Sequence, residues 1–230
     1  MRRTKQEANA TRQRIITAAL RMFARHGITR TTLEQVARAA NVTRGAVYWH
    51  FKGKRELVRA VRDTVSVPFL DRVDLALLRS PGDDPLQRIQ RYLESLVSDI
   101  EHDRTLRLTF EVMSFKCEYV GEFAVEREAM CRNTQRMQKA LAQAYSESAE
   151  DGLLRTGVTP DVAAFETIAF LTGLCRLLLL DASRFGGSAA ARDAIAAHVQ
   201  GQRRTLIAAP PASRGRTARR LRVLEQSTRP

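Results

Sequence analysis

Thr31-Thr32-Leu33-Glu34-Gln35-Val36-Ala37, followed shortly by Asn41-Val42-Thr43-Arg44-Gly45-Ala46-Val47-Tyr48-Trp49-His50-Phe51-Lys52-Gly53-Lys54, is the stretch on which the reading of this chain turns. Each half opens on a threonine able to cap a helix. Thr31 and Thr32 both have an acid or amide three residues on, Glu34 and Gln35, which is the spacing of a capping box. Leu33, Val36, Ala37 and Ala40 then fall on one stripe at i, i+3, i+4, i+7, so a helix is expected over 33–40. Asn41 tolerates the left-handed backbone that a sharp reversal needs, and Val42 can turn back toward a core. Thr43 caps a second short helix, expected over 44–51. Two short helices joined by a tight turn make a helix-turn-helix, whose second helix lies in the major groove of DNA.

The second helix carries residues suited to that position. Val47 and Phe51 share the face that anchors it, while Arg44 and Tyr48, four apart, share the opposite one. Gly45 beside them allows close backbone approach to a duplex. Arg44 can reach guanine O6 and N7 with two hydrogen bonds, worth about 1–3 kcal/mol of discrimination. Thr43, Tyr48, Trp49, His50 and Lys54 are better placed for phosphates, which fix register without reading sequence. Thr32, at the start of the preceding helix, is counted with them. An ordinary capped helix with a solvated face is the plainer alternative.

Charge supports the nucleic-acid reading. The 230 residues carry a net +13, divided as +11 over residues 1–69, −3 over 70–207 and +5 over 208–230. Such a skew points to a polyanion for the N-terminal third, and to nucleic acid before a membrane because no strongly apolar face accompanies it. Ahead of the motif, Ile15, Ile16, Ala19, Leu20 and Phe23 define one apolar face of a helix over 8–26, which Gly27 ends.

The two quoted runs resemble the DNA-binding domain of TetR-family regulators. Arg3-Thr4-Lys5-Gln6-Glu7-Ala8, the Tyr48-Trp49-His50-Phe51 core and Phe115-Lys116-Cys117-Glu118-Tyr119-Val120-Gly121-Glu122 resemble its AcrR/TtgR-like branch, repressors of multidrug efflux pumps. Asn41 departs from the pattern, where most members have glycine. The resemblance implies an all-α fold: a three-helix helix-turn-helix head over 8–68, then a helical ligand-binding and dimerisation body over 69–207. It also implies a homodimer on a (pseudo)palindromic operator in double-stranded DNA, released by a hydrophobic small-molecule inducer.

Beyond the head, helices are expected from Lys54 onward and then at 86–102, 104–116, 122–148, 161–184 and 189–206. Pro68 falls within the first of these, where a proline removes one backbone hydrogen bond. It either kinks the helix at the joint between the parts, biasing its swing, or simply ends it. Val65 and Phe69 at that joint, then Leu93, Leu96, Phe110, Met113 and Ser114, are candidate pocket residues. Met137, Ile168, Thr172, Cys175 and Arg176 complete the candidates. The pocket itself follows from the resemblance, since such stripes equally make plain core. Phe165, Ile168, Ala169, Thr172, Gly173, Arg176 and Leu177, with Ala194, Ile195, His198 and Val199, are the candidate dimer surface, or close the monomer's own core, or do both. Residues 208–230, with Arg214, Arg216, Arg219, Arg220 and Arg222, read as a disordered basic tail that adds DNA attraction or solubility.

Little supports catalysis. The four histidines are scattered with no metal-ligand spacing, and GxSxG, P-loop and GxGxxG motifs are absent from the sequence. No cofactor or metal is called for. Cys117, Cys131 and Cys175 have no pairing spacing and read as reduced core thiols rather than redox sensors. No run of 18 apolar residues occurs and no signal peptide follows Met1, so no membrane partner and a cytoplasmic location are expected. The alternative to a ligand-responsive repressor is a ligand-blind architectural DNA binder of low sequence specificity.

Overall fold

The computed structural model describes residues 5–77 and 83–204, leaving aside the side chains of Val67, Phe69, Leu70, Arg72 and Asp74. The expected basic tail therefore lies outside the described residues. Those residues form nine α-helices: α1 (Lys5–His26), α2 (Leu33–Ala39), α3 (Arg44–His50), α4 (Lys54–Leu77), α5 (Pro85–His102), α6 (Arg104–Glu111), α7 (Ala124–Glu150), α8 (Pro160–Asp181) and α9 (Gly187–Gln202). No strand occurs among the described residues; Leu154 and Arg203 make a single antiparallel bridge.

The head forms as its caps dictate. Of the two candidate capping boxes, Thr32 makes it: its hydroxyl accepts from the Gln35 amide at 3.2 Å, and its own N–H reaches Gln35 Oε1 at 2.8 Å. Thr31 is buried instead and gives its hydroxyl proton to the Gly27 carbonyl at 2.7 Å, tying the α1–α2 loop. Gly27 and Asn41 take left-handed conformations with φ 79° and 51°, and Thr43 accepts from the Ala46 amide at 3.1 Å. Ile15, Ala19 and Phe23 of α1, Val36 of α2, and Val47 and Phe51 from α3 and its end are all at most 1% exposed in one cluster.

Helix α4 is the shared element. Leu57, Val58, Ala60 and Val61 belong to the head cluster, whereas Val65, Val73 and Leu77 belong to that of the body. The changeover falls within one turn, between Val61 and Val65. The helix continues past Pro68, which lies inside it, so the expectation that it ends there is corrected. Burial of Val65, Val73 and Leu77 on either side carries the helix past one missing bond. Replacing Pro68 by alanine restores a donor for the Thr64 carbonyl and is expected to stabilise the fold by up to about 3 kcal/mol. A higher urea midpoint is the measurement that checks it.

The expected helix over 104–116 is also modified. Its last turn, Val112–Lys116, is π-helical. This turn bridges the two parts, since Val112 and Met113 pack in the head cluster and the Lys116 carbonyl accepts from the Ile28 amide at 3.4 Å. Such π turns recur at functional sites.

The body packs α5, α7, α8 and α9 around Leu93, Leu141, Tyr145, Ala163 and Ile195. The candidate dimer surface divides accordingly. On α8, Val162, Phe165, Leu177 and Leu180 are exposed, as are Ala169, Thr172, Gly173 and Arg176, whereas Ile168 is buried. On α9, Ile195 and Val199 are buried in the monomer, and His198 turns inward. Its ring stacks on Phe170 with centroids 4.4 Å apart. The Thr167 hydroxyl donates to the Ala163 carbonyl, so its oxygen accepts from His198 Nε2 at 2.9 Å and from the Tyr145 hydroxyl at 2.7 Å. Burial lowers the His198 pKa, favouring the neutral ring.

Candidate functional site

The outward side of α3 is exposed from Thr43 to Trp49, with Ala46 half-buried and Val47 wholly buried behind it. Arg44 lies over the Tyr48 ring, its guanidinium carbon 5.4 Å from the centroid, and its Nη1 is 2.6 Å from Glu34 Oε1. The ion pair is open to water on both sides, with side chains 62% and 55% exposed, so it positions the guanidinium without committing it. Gly45 has only the Thr43 hydroxyl near its open side, leaving the backbone accessible. Trp49, 74% exposed, stands edge-on against His50 with ring centroids 4.5 Å apart. Beside them Lys5, Asn9 and Arg12 at the start of α1 complete a basic and aromatic hollow, and Arg12 also covers the Phe51 ring at 5.1 Å. Thr32 is exposed at the neighbouring helix start.

Lys54 is engaged differently from its expected role. Its Nζ donates to the Ile28 and Thr29 carbonyls at 3.1 and 2.9 Å, so the ammonium closes the α1–α2 loop onto the start of α4. Lys5 and Arg12 were missing from the sequence-derived set because α1 reads as an ordinary amphipathic helix. Only folding brings its first turns beside Trp49.

A second feature lies in the body, where α4, α6, α7 and α8 enclose a cavity of about 250 Å³. Val65, Leu96, Phe110, Met113 and Ser114 line it, as do Met137, Thr172, Cys175 and Arg176. Leu93 and Ile168 do not: Leu93 is wholly buried in the core and Ile168 faces it too, which corrects both assignments. The Phe69 side chain lies outside the described set. The sequence reading missed Arg62 and Ser66 on α4, Thr109 on α6, Met130, Asn133 and Thr134 on α7, and Leu171 and Leu179 on α8. Met130 and Thr134 fall at helical spacing with Met137 along α7; what that stripe faces is a tertiary fact.

The cavity is apolar with a few directional groups, the usual character of a small-molecule site. Thr109 and Thr172 give their hydroxyl protons to the Thr105 and Ile168 carbonyls, so toward a ligand they offer only acceptor oxygens. Arg176 lies over the Phe115 ring at 4.8 Å. Among the described lining residues none is acidic. Burial pushes the Cys175 thiol up to about 12, and burial with nearby Glu126 and Glu118 pushes Cys117 up to about 11. Both thiols are therefore protonated at neutral pH and poor nucleophiles. Cys131 is exposed on α7, so the expectation of three core thiols is corrected.

Where head meets body, Arg62 of α4 makes an ion pair with Glu126 of α7 and two bonds to Asp63 Oδ1, at 3.0 Å from Nε and 2.7 Å from Nη2. Glu126 is 1% exposed, and burial raises its carboxyl pKa against the opposing pull of Arg62. No group of three or more metal-ligating side chains occurs among the described residues.

Residues 15–61 match the family model for bacterial regulatory proteins of the tetR family, and residues 84–201 match the C-terminal region of MAATS-type transcriptional repressors. The HTH-type transcriptional regulator AcrR of Shigella flexneri is 32% identical over 195 residues, covering 85% of this chain and 90% of that protein. The crystal structure of NalD, the secondary repressor of the MexAB-OprM multidrug efflux pump in Pseudomonas aeruginosa, aligns with a TM-score of 0.78 at 28% identity, covering 87% of this chain and 99% of that one. SmeT, the repressor of the Stenotrophomonas maltophilia multidrug efflux pump SmeDEF, aligns in its triclosan complex with a TM-score of 0.74 at 25% identity, covering 88% and 96%.

Proposed function

Because this chain belongs to the TetR family of bacterial regulatory proteins, we propose that it represses a multidrug efflux pump operon as a homodimer and releases its operator when a hydrophobic compound fills the body cavity. The family's members are DNA-binding transcriptional regulators and not enzymes, and so is this chain. The observation that carries the ligand response is α4 itself. Its first half packs under the DNA-facing helices, and its residues Arg62, Val65 and Ser66 form one wall of the cavity. A molecule seated there touches the same rigid element that positions the head. If the ligand favours a state in which the two recognition helices mismatch the groove spacing, operator DNA must weaken ligand binding by the same factor.

The functional units are taken as 8–68 for DNA and 69–207 for ligand and dimer. The exposed apolar residues of α8, with Phe165 63% exposed, support a two-fold contact through that helix. Helix α8 is long and apolar enough by composition to cross a bilayer. Its buried face belongs to the body core, and we assign its exposed face to the second subunit and read the protein as cytoplasmic, as its relatives' role in transcription supports. The base contacts are assigned to Arg44. The backbone grip is assigned to Thr32, Thr43, Gly45, Tyr48, Trp49 and His50.

Fluorescence anisotropy on the DNA upstream of its own gene tests this reading, with a palindrome-scrambled duplex and with triclosan as probe. Binding that is lost on scrambling and weakened by the compound is expected. Indifference to both would favour the ligand-blind architectural binder, whose affinity depends steeply on salt alone.

A further inference from the structure

Arg62 differs from every other polar group in the cavity wall. It sits on α4 at the last turn before the core changes over from head to body, and its side chain is only 15% exposed. One side of it lines the cavity, while its Nη1 is held from behind by Glu126 in the first turn of α7. That contact ties the head-bearing helix to the body. Glu126 faces Arg62 and Asp63 of α4, with Arg59 one turn earlier and Tyr119 and Cys117 nearby. Behind the pair opens a polar cleft lined by Arg55, Arg59 and Arg132.

Among the described residues that line the cavity there is no competing carboxylate. Its described lining offers two cations, Arg62 and Arg176, and Arg176 lies away from the head against Phe115. Any oxygen acceptor that reaches the α4 wall therefore meets a guanidinium held on its own helix by Asp63 through Nε and Nη2 and on α7 by Glu126 through Nη1. Once Arg62 turns to such an acceptor, the buried ion pair between α4 and α7 is lost, and what joins the two helices by charge is the exposed Asp71–Arg136 pair at 3.6 Å and the weaker pull of Arg59 on Glu126.

Building on the ligand-responsive reading above, we propose that Arg62 is the residue through which cavity occupancy reaches the head. Compounds bearing an acceptor oxygen, phenols or carboxylates, draw Arg62 from Glu126 and release the operator. Purely apolar compounds of the same shape fill the cavity and leave the DNA complex intact. Binding and induction are thus separable, because only differential affinity for the two states shifts the equilibrium.

Two probes and two variants of the full-length protein test this. The probes are triclosan, which carries a phenolic oxygen, and the corresponding trichlorodiphenyl ether without the hydroxyl. Calorimetry measures their binding and anisotropy measures operator affinity. With the wild type, triclosan is expected to weaken operator binding about tenfold or more, and the ether to bind within about tenfold of triclosan while leaving the operator affinity within about twofold. In the double variant Arg62→Met/Glu126→Leu, which replaces the pair by apolar groups, triclosan should still bind but no longer weaken the DNA complex. Glu126→Gln keeps the shape of the site and serves where the double variant fails to fold; its operator affinity should already be lowered without any compound. Release by the ether as effective as by triclosan, or full induction of either variant, overturns the proposal. Calorimetric silence of both compounds with the wild type would instead remove the ligand cavity reading, and this proposal with it.

Discussion

Alanine at Arg44 is expected to weaken binding to the cognate operator by roughly tenfold or more, equivalent to about 1–3 kcal/mol, with no change in thermal midpoint. The effect should be confined to one base pair in each half-site. Arg44 is paired with Glu34 at 2.6 Å, but both side chains are more than half exposed. An exposed ion pair of that kind is worth about 0–1 kcal/mol, less than two charge-assisted bonds to a guanine edge. The pair is therefore expected to yield to DNA; without DNA it holds the guanidinium over Tyr48. Glu34→Gln should act in the opposite direction and tighten operator binding a few-fold. Lys54→Ala provides the contrast: its ammonium is committed to the Ile28 and Thr29 carbonyls, so the loss should register in stability before affinity. A panel of single-base operator substitutions, titrated against wild type and Arg44→Ala, checks the assignment. If the variant discriminates every position as the wild type does, Arg44 does not read a base.

Most of the head was legible because its signals are local. Thr32 with Gln35, Asn41 at the turn and Thr43 before Arg44 lie within a few residues of the groups they satisfy, and period alone separates Val47 from Tyr48. The cavity was legible only by residue type. Helical spacing puts Leu93 and Leu96 on neighbouring positions of one face of α5, yet only Leu96 meets the void, because Leu93 is wholly buried in the body core. The same limit hid Arg62. In sequence it is one more basic residue on a basic helix, and its partner on α7 is 64 positions away. Pro68 shows the converse error, where a strong local signal was overridden by tertiary burial of α4 on both sides of it. The π turn at Val112–Lys116 has no local signature; it is visible only once Ile28 and the cavity are both in place.

These limits bear on mechanism. Allosteric coupling in this fold does not require a long wire, since the head cluster already includes Val112, Met113 and Phe123 from the body. Met113 also lines the cavity, as Arg62 does from α4. A ligand filling the cavity would thus touch the head cluster through two adjacent segments, one of them a helix turn with non-α geometry. Such packed joints tend to hold discrete arrangements rather than deform smoothly.

The largest loss of stability is expected away from both sites, at Arg88 of α5 and Glu147 of α7. Both residues are at most 5% exposed, and Arg88 Nη2 donates to Glu147 Oε2 in the centre of the body. The pair is incompletely satisfied, because Arg88 Nε and Nη1 are buried without a hydrogen-bond partner. Its Coulomb attraction is therefore set against desolvation that hydrogen bonds only partly offset. Removing one member alone strands the other charge. Arg88→Met or Glu147→Leu should each lower unfolding free energy by about 3–5 kcal/mol, a large fraction of the roughly 5–15 kcal/mol of a typical domain. The double variant should recover most of that loss, and can match or exceed the wild type, since methionine and leucine fill the space without demanding partners. Urea unfolding of the four proteins gives the coupling energy directly. A double variant as unstable as either single one would mean that the pair makes a net stabilising contribution its unpartnered nitrogens do not suggest. Operator binding of the refolded double variant should match the wild type, because neither residue lines the cavity or faces DNA.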